Sequence, residues 1–225
     1  MLERRTFAPL RSHTLRGNIV ELLTEAILEG KIKPGQRLNE TQLARELRVS
    51  RAPIREALHQ LQERGLVENS PRRGMFVVSL DEEDVQKING LRVILEAEAL
   101  RLCRSNLTLE GEKRLVQLVQ KMERIEPEWA SPSAARLDLD FHRTVWSFTG
   151  NQYLQRILDS ITTPLFAHIV ITSQKNEKLR MVIPSHRPLL EFLQGKSKQS
   201  AEEAILEHLK KRWSIAGARK GRALH

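Results

Sequence analysis

The chain has 225 residues, and 37 lysines and arginines against 28 aspartates and glutamates give it a net charge of +9. This length is enough for two modest domains, and the excess of positive charge favours a polyanionic partner. The absence of a run of about 18 apolar residues excludes a membrane helix, and we expect no signal peptide because the N-terminal segment lacks an apolar stretch. The single cysteine, Cys103, cannot form an internal disulfide, so we expect a cytoplasmic protein.

Three helices are predicted in the first part of the chain. Apolar residues at helical spacing from Ile19 onwards predict the first helix, which ends at Gly30. Asn39 is expected to cap the second helix, with Gln42 at the reciprocal position of a capping box. Ser50 is expected to cap the third helix. These signals predict a small helical domain at this end of the chain.

A basic β-hairpin is predicted after the third helix, because two short strands flank the turn "SPRRG". Three helices followed by a hairpin is the order of a winged helix-turn-helix, whose recognition helix enters the DNA major groove. Arg51, Ala52 and Arg55 share the side of the third helix that faces away from its apolar stripe. Arginines there can bind guanine or phosphate. A solvated basic face is the plain alternative, but the helix order, the caps and the basic wing together favour DNA binding.

The rest of the chain is predicted to be helical. The strand pattern gives way to a helical one near residues 78–82, which we take as the domain boundary. The expected fold class is therefore mainly α, with a winged helix-turn-helix over residues 1–80 and an all-α helical bundle over residues 81–225. The predicted helices of the bundle are 81–105, 109–126, 133–149, 151–173, 176–194 and 198–218.

Four polar side chains lie on faces of these helices that are otherwise apolar. Asp138 and His142 are one turn apart, and His186 and His208 each lie on an apolar stripe of another helix. Buried polar groups without partners are costly, so these groups need partners. One carboxylate with three imidazoles suits Zn²⁺, Ni²⁺, Fe²⁺ or Mn²⁺ rather than Ca²⁺, and zinc is the ion that we expect. The plain alternative is a set of hydrogen-bonded core residues without an ion.

The N-terminal part resembles a known family. The segments "PGQRL", "LARELRVSRAPIREAL" and "RRGMFV" are similar to the DNA-binding domain of GntR-type bacterial transcription regulators. This resemblance implies DNA contacts from the start of the second helix, from the recognition helix and from the wing tip. By position, the contacting residues are Thr41, Arg51, Ala52, Arg55, Arg73 and Gly74. Ser50, expected as a helix cap, is a further candidate for a phosphate contact.

The C-terminal part resembles the all-helical ligand-binding domain of the FadR branch of that family, called FCD. The resemblance rests on "LDLDFHRTVWSFTGNQYL" and on "SHRPLLEFLQGKSKQSAEEAILEHL". The domain carries a D-x-x-F-H…G-N signature with two later histidines, and it often binds a metal. The resemblance implies that Asp138, His142, His186 and His208 are the metal ligands.

Two further residues are candidates for binding an effector. Arg92 lies where the family places a helical R-x-x-x-E, and a buried arginine facing a metal would suit an acidic ligand. The alternative is an ion pair between Arg92 and Glu96 without any ligand. Asn151 either lines the pocket or caps the helix that follows Gly150. Both pairs of alternatives stay open on the sequence alone.

These observations predict a metabolite-responsive transcriptional regulator, expected to be a repressor and not an enzyme. It would bind double-stranded operator DNA as a homodimer, because a two-fold protein reads a palindromic operator through paired recognition helices. Its effector would be a small carboxylate metabolite. A metal-dependent enzyme that activates water is the first alternative, although no general base stands beside the ligands. A constitutive DNA-binding protein with a structural metal is the second.

Overall fold

The computed structural model describes residues 13–125, 132–175 and 185–216. These residues are mainly α-helical with one small sheet, which confirms the expected fold class. The N-terminal part contains α1 (His13–Leu28), β1 (Arg37–Leu38), α2 (Glu40–Glu46), α3 (Arg51–Glu63), β2 (Val67–Ser70) and β3 (Gly74–Val77). The C-terminal part contains α4 (Glu82–Asn106), α5 (Leu109–Glu123), α6 (Pro132–Ser147), α7 (Gln152–Lys175), α8 (Arg187–Leu193) and α9 (Ala201–Ala216).

The third helix, α3, is amphipathic, and this decides which of its side chains are available for binding. Ile54, Leu58 and Leu61 are fully buried against the core that α1 and α3 share. The opposite side of the helix is exposed and carries Arg51 and Arg55. Burial of one stripe therefore leaves the N-terminal turns of α3 facing outward.

The wing is a three-stranded antiparallel sheet in the order β1-β3-β2. The hairpin of β2 and β3 was predicted, with Ser70 paired to Gly74 at its closed end. The short strand β1, in which Arg37 pairs with Phe76, was not predicted. Two residues are too few to show the alternation on which strand recognition depends.

The helix caps of this part correct two details of the sequence analysis. Asn39 caps α2 as expected, since its Oδ1 accepts hydrogen bonds from the backbone N–H groups of Thr41 (2.9 Å) and Gln42 (3.1 Å). The reciprocal bond of the capping box, in which the Gln42 side-chain oxygen would accept from the Asn39 N–H, is not formed, and the Gln42 amide donates to the carboxylate of Glu46 at 2.8 Å. Hydrogen bonds to an ionised acceptor are the stronger ones. Ser50 occupies the N-cap position of α3 but makes no side-chain capping bond.

The C-terminal helices enclose a second apolar core, in which Phe141, Trp146 and Phe166 are fully buried. Helix α6 packs between α5 and α7, while α4 contacts α6, α7 and α9. This arrangement puts the inward faces of α4, α6 and α9 around one volume. No helix within the described ranges is long and apolar enough to cross a bilayer.

The helix predicted over residues 176–194 is shorter in the part that the structure describes. Residues 176–184 lie outside the described residues, and α8 begins only at Arg187. His186 is therefore the N-cap residue of α8 and not a member of a helical stripe. Pro188 lies in the first turn, where its missing N–H does no harm.

The two parts of the chain meet at α7. Ala167 of α7 packs into the N-terminal core. Gly65, directly after α3, has a φ of +70°, and a side chain there would collide with the backbone carbonyl of Ser160. Pro164 has no N–H to offer to that carbonyl four residues earlier. The turn after α3 therefore packs against the Ser160 carbonyl, which has no N–H donor four residues later in α7.

Candidate metal centre and nucleic-acid interface

The structure brings the four predicted metal ligands together in the bundle core. Asp138 and His142 come from α6, His186 precedes α8, and His208 comes from α9; all four are buried. One ligand atom of each residue lies within 4.8 Å of those of the other three. Asp138 Oδ1 is 3.0 Å from His186 Nε2 and 3.4 Å from His142 Nε2. Two ligands on one ion are typically about 3–4 Å apart, so the cluster has nearly the right size.

Two imidazole nitrogens of this cluster lack a hydrogen-bond partner. His142 Nε2 and His208 Nε2 are both buried, and within the described ranges neither makes a hydrogen bond. The 3.4 Å approach of His142 Nε2 to Asp138 lacks hydrogen-bond geometry. Burying a polar atom unsatisfied costs about 1–3 kcal/mol. A metal ion bound between these nitrogens and the carboxylate would remove that cost, so the donor set fits a transition metal.

The other ring nitrogens of the same two histidines are held by acceptors. His142 Nδ1 lies 2.5 Å from Glu96 Oε2, and His208 Nδ1 lies 3.3 Å from the backbone oxygen of Ser185. We assign the ring proton to Nδ1 in both, which leaves the Nε2 lone pairs directed at the cluster. Metal-ligating histidines usually donate their second ring N–H to a carboxylate or a carbonyl in this way.

The charge states of the surrounding groups are those that metal binding requires. Burial lowers the pKa of His208 well below its usual value, and the nearby rings of His186 and His142 lower it further. Burial alone would raise the pKa of Glu96, but the charge of Arg92, together with the hydrogen bond from His142, holds it well below its usual range. At neutral pH His208 is therefore neutral and Glu96 ionised. Imidazole binds metal only in its neutral form.

Arg92 is fully buried on α4 and forms the ion pair with Glu96 that the sequence analysis considered. Its Nε donates to Glu96 Oε1 at 2.7 Å and its Nη1 to Asn89 Oδ1 at 3.4 Å. Its Nη2 lies 2.7 Å from the same Glu96 oxygen without making a hydrogen bond. Because the other oxygen of Glu96 holds His142, this pair links Arg92 to the cluster. Glu96 was not predicted as a site residue.

Asn151 serves as a helix cap. Its Oδ1 accepts hydrogen bonds from the backbone N–H groups of Tyr153 and Leu154, both at 3.1 Å, at the start of α7. The side chain is exposed, whereas the four cluster residues are buried. The structure thus shows the capping alternative, and we assign no ligand contact to Asn151.

The predicted DNA-contacting residues lie on the exposed surface of the N-terminal part. They come from the start of α2, the N-terminal turns of α3 and the wing tip. Arg73 stacks over Phe76, with its guanidinium carbon 5.3 Å from the ring centre, and Gly74 has a φ of +98° that favours glycine. Thr41, Ser50, Arg51, Ala52, Arg55 and Arg73 are exposed, while Gly74 is partly buried.

One residue of this surface was missed. Glu40, the first residue of α2, accepts hydrogen bonds from Arg51 Nη2 at 3.1 Å and from Arg55 Nη2 at 3.1 Å. From the sequence it is an ordinary acidic residue in the first turn of a helix, where it favours the helix dipole. The contact to both arginines depends on how α2 packs against α3, which the sequence does not show.

Comparison with known proteins identifies the family. The family model described as "Bacterial regulatory proteins, gntR family" matches residues 15–77, and the model described as "FCD domain" matches residues 88–211. The chain belongs to the GntR family of bacterial regulators and carries an FCD domain. It is 30% identical over 190 residues to the HTH-type transcriptional regulator YdhC of Bacillus subtilis, an alignment that covers 83% of this chain and 84% of YdhC.

Further similarities agree with this assignment. The chain is 25% identical to the HTH-type transcriptional repressor RspR of Escherichia coli K12, over 85% of this chain and 84% of RspR. The solved structure of E. coli McbR/YncC has the same fold, with a TM-score of 0.71 and 21% identity over 90% of this chain and 96% of that one. This GntR-family protein is a transcriptional regulator that binds operator DNA, which confirms the expectation that it is not an enzyme.

Proposed function

We propose that this GntR-family regulator represses transcription as a cytoplasmic homodimer, and that a metal ion and a small carboxylate effector in its FCD domain control its affinity for operator DNA. The observation that carries the proposal is the buried cluster of Asp138, His142, His186 and His208, in which the Nε2 atoms of His142 and His208 have no hydrogen-bond partner among the described residues. A bundle that needed only stability would be expected to bury apolar side chains there, since buried polar groups are costly. Similarity to RspR supports the repressing sign.

The cluster residues would hold the ion through three nitrogens and one oxygen, a set that suits zinc and also nickel, iron or manganese. The bound ion would supply a positive centre for a carboxylate oxygen. Arg92 supplies a second positive group in the same core, joined to the cluster through Glu96, and its Nη2 makes no hydrogen bond to any residue that the structure describes. A metal and a guanidinium together favour an acidic ligand over a neutral one.

The proposed dimer is supported by an exposed stripe along α4. Leu91 and Ile94 are 51% and 68% exposed at the middle of this stripe. Lys87 lies towards its N-terminal end and Glu98 towards its C-terminal end, and both are exposed. Antiparallel pairing with the same helix of a second copy would bury the two apolar residues and place Lys87 near the partner's Glu98. A parallel pairing would instead bring like charges together.

The test of this proposal is whether a carboxylate changes operator affinity. Metal-loaded protein is titrated against an operator duplex, selected from a random library with the same protein, in the presence of a panel of monocarboxylates and dicarboxylates. At least one is expected to change the affinity by about 5–150-fold, the usual range of coupling between two sites. A panel without effect, on protein shown to carry its metal, would favour the constitutive DNA-binding protein. Chemical conversion of one of these carboxylates by the protein would instead support the alternative that it is a metal-dependent enzyme.

Arg55→Ala is expected to weaken operator binding, because a bidentate arginine–guanine contact is worth about 1–3 kcal/mol. Operator affinity should fall by about 5–150-fold for each half-site that a variant subunit binds. Fluorescence anisotropy at a fixed salt concentration measures this change. Arg156, exposed on α7, provides a control in which the same charge is removed outside the proposed interface. Wild-type affinity in Arg55→Ala would reject α3 as the reading helix.

A further inference from the structure

We propose that Glu40 is a specificity-determining residue, which positions Arg51 and Arg55 for base contacts and weakens binding to non-specific DNA. The inference rests on the proposed role of α3 in reading DNA. It assigns a function to an acidic side chain at the centre of a surface otherwise expected to be basic.

The geometry shows one carboxylate shared by two guanidinium groups. Arg55 donates from Nε to Glu40 Oε1 at 3.2 Å and from Nη2 to Oε2 at 3.1 Å, so it approaches with one edge of its fork. Arg51 donates from Nη2 to the same Oε2 at 3.1 Å. The two arginines are one helical turn apart on α3, and the Asn39 cap fixes the start of α2 where Glu40 lies. Glu40 thus fixes both side chains relative to the scaffold.

The contact leaves both arginines able to donate to DNA. Arg55 uses Nε and one Nη2 hydrogen for Glu40, and its remaining N–H groups are free of that contact. The side chains of Arg51 and Arg55 are 58% and 53% exposed, against 24% for Glu40. The guanidinium groups therefore lie outward of the carboxylate. An arginine already held in one rotamer loses less entropy when it binds a base.

The negative charge has the opposite effect on non-specific binding. The hydrogen bond from Arg55 is the main cause that lowers the pKa of Glu40, so the carboxylate is ionised at neutral pH. The three groups together carry a formal charge of +1, where the two arginines alone would carry +2. Non-specific affinity arises from neutralisation of phosphates and is weakened by such a carboxylate. Glu40 thus favours base contacts over phosphate contacts.

Glu40→Gln in the full chain tests this inference, because it keeps the shape and removes the charge. The ratio of operator affinity to scrambled-duplex affinity is expected to fall about fivefold or more, the lower end of what one bidentate base contact contributes. The affinity for scrambled duplex should rise, and its dependence on salt concentration should become steeper. Both duplexes are titrated by fluorescence anisotropy across a salt series.

Glu46→Gln is the matched control, since it removes the same charge from an exposed position on the same helix, where its partner is the neutral Gln42. A general charge effect would lower the ratio equally in both variants, which would overturn the inference. An unchanged ratio in Glu40→Gln would also overturn it. Equal urea midpoints for Glu40→Gln and wild type are expected, and they show that the variant is folded.

A double-mutant cycle with Arg55→Ala distinguishes an effect of Glu40 on the position of Arg55 from a general effect of its charge. It also tests separately whether α3 contacts the bases. If Glu40 acts through Arg55, Glu40→Gln should change the ratio much less when Arg55 is already alanine; fully additive effects would overturn the positioning role. If Arg55→Ala alone leaves operator affinity unchanged, the reading role of α3 fails. If Arg55→Ala weakens operator binding while Glu40→Gln leaves the ratio intact, only the inference about Glu40 fails.

Discussion

His142→Ala is expected to lower the metal content from about one transition-metal ion per chain to almost none. The residue contributes one of four ligands, and its Nε2 is one of the buried atoms that make no hydrogen bond. A ligand that binds only the native state stabilises it by about 2.7 kcal/mol at 100 times its Kd. The wild-type Tm should therefore fall when a chelator removes the metal, whereas the Tm of His142→Ala should be the same with and without chelator. Elemental analysis and thermal unfolding measure both effects.

Two further variants separate loss of metal from loss of packing. Asp138→Asn keeps the volume of the side chain and removes its charge, so metal loss there cannot be ascribed to a cavity. His168, a half-buried histidine of α7 outside the cluster, serves as the control. The His168→Ala variant should bind as much metal per chain as the wild type. A full complement of metal in His142→Ala would reject that residue as a ligand. If wild-type protein contains no metal after incubation with Zn²⁺, Ni²⁺ and Mn²⁺, the metal site is rejected, and the cluster is a set of hydrogen-bonded core residues.

The helices were predictable because their signals are local. The apolar spacing of α3 and the Asn39 cap of α2 involve residues within one or two turns of each other. Strand β1 escaped prediction because its two residues form a strand only through pairing with β3. The capping-box pattern likewise did not predict that the Gln42 amide donates to Glu46, one turn further along α2. Local patterns therefore predict elements well and choose poorly among competing partners.

The site was predictable only in part, for the same reason. Asp138, His142, His186 and His208 were all singled out as polar residues at apolar helical spacing, although the structure shows His186 at the N-cap of α8 rather than on a helical stripe. Glu40 and Glu96 carry no such signal, because Glu40 reads as an ordinary acidic residue in the first turn of a helix and Glu96 as one half of an ion pair with Arg92. Their roles depend on the packing of α2 on α3 and of α4 on α6. Whether an acidic side chain binds more than one donor depends on which side chains the packed helices bring to its oxygens.

Glu96→Gln is expected to destabilise the protein by about 3–5 kcal/mol, the usual effect of breaking a buried ion pair by removing one partner. Glu96 Oε1 pairs with Arg92 while Oε2 holds His142 Nδ1, and both neighbours are donors. The glutamine amide has one oxygen, so it can accept from one of them and must turn its NH₂ group towards the other. The buried charge of Arg92 also loses its counter-ion. Urea unfolding of metal-free protein measures this effect.

The same variant is expected to bind metal more weakly even though it keeps all four ligands. Loss of the carboxylate that orients a ligating histidine typically lowers metal affinity about 10–100-fold. Glu29→Gln is the control outside the bundle core and outside the proposed dimer stripe, because Glu29 pairs with the exposed Lys31 at 2.7 Å on the surface. A surface pair of that kind contributes about 0–1 kcal/mol and touches no ligand. If both variants matched wild type in stability and in metal affinity, Glu96 would not be needed to orient His142. Packing in the core alone would then hold that ring.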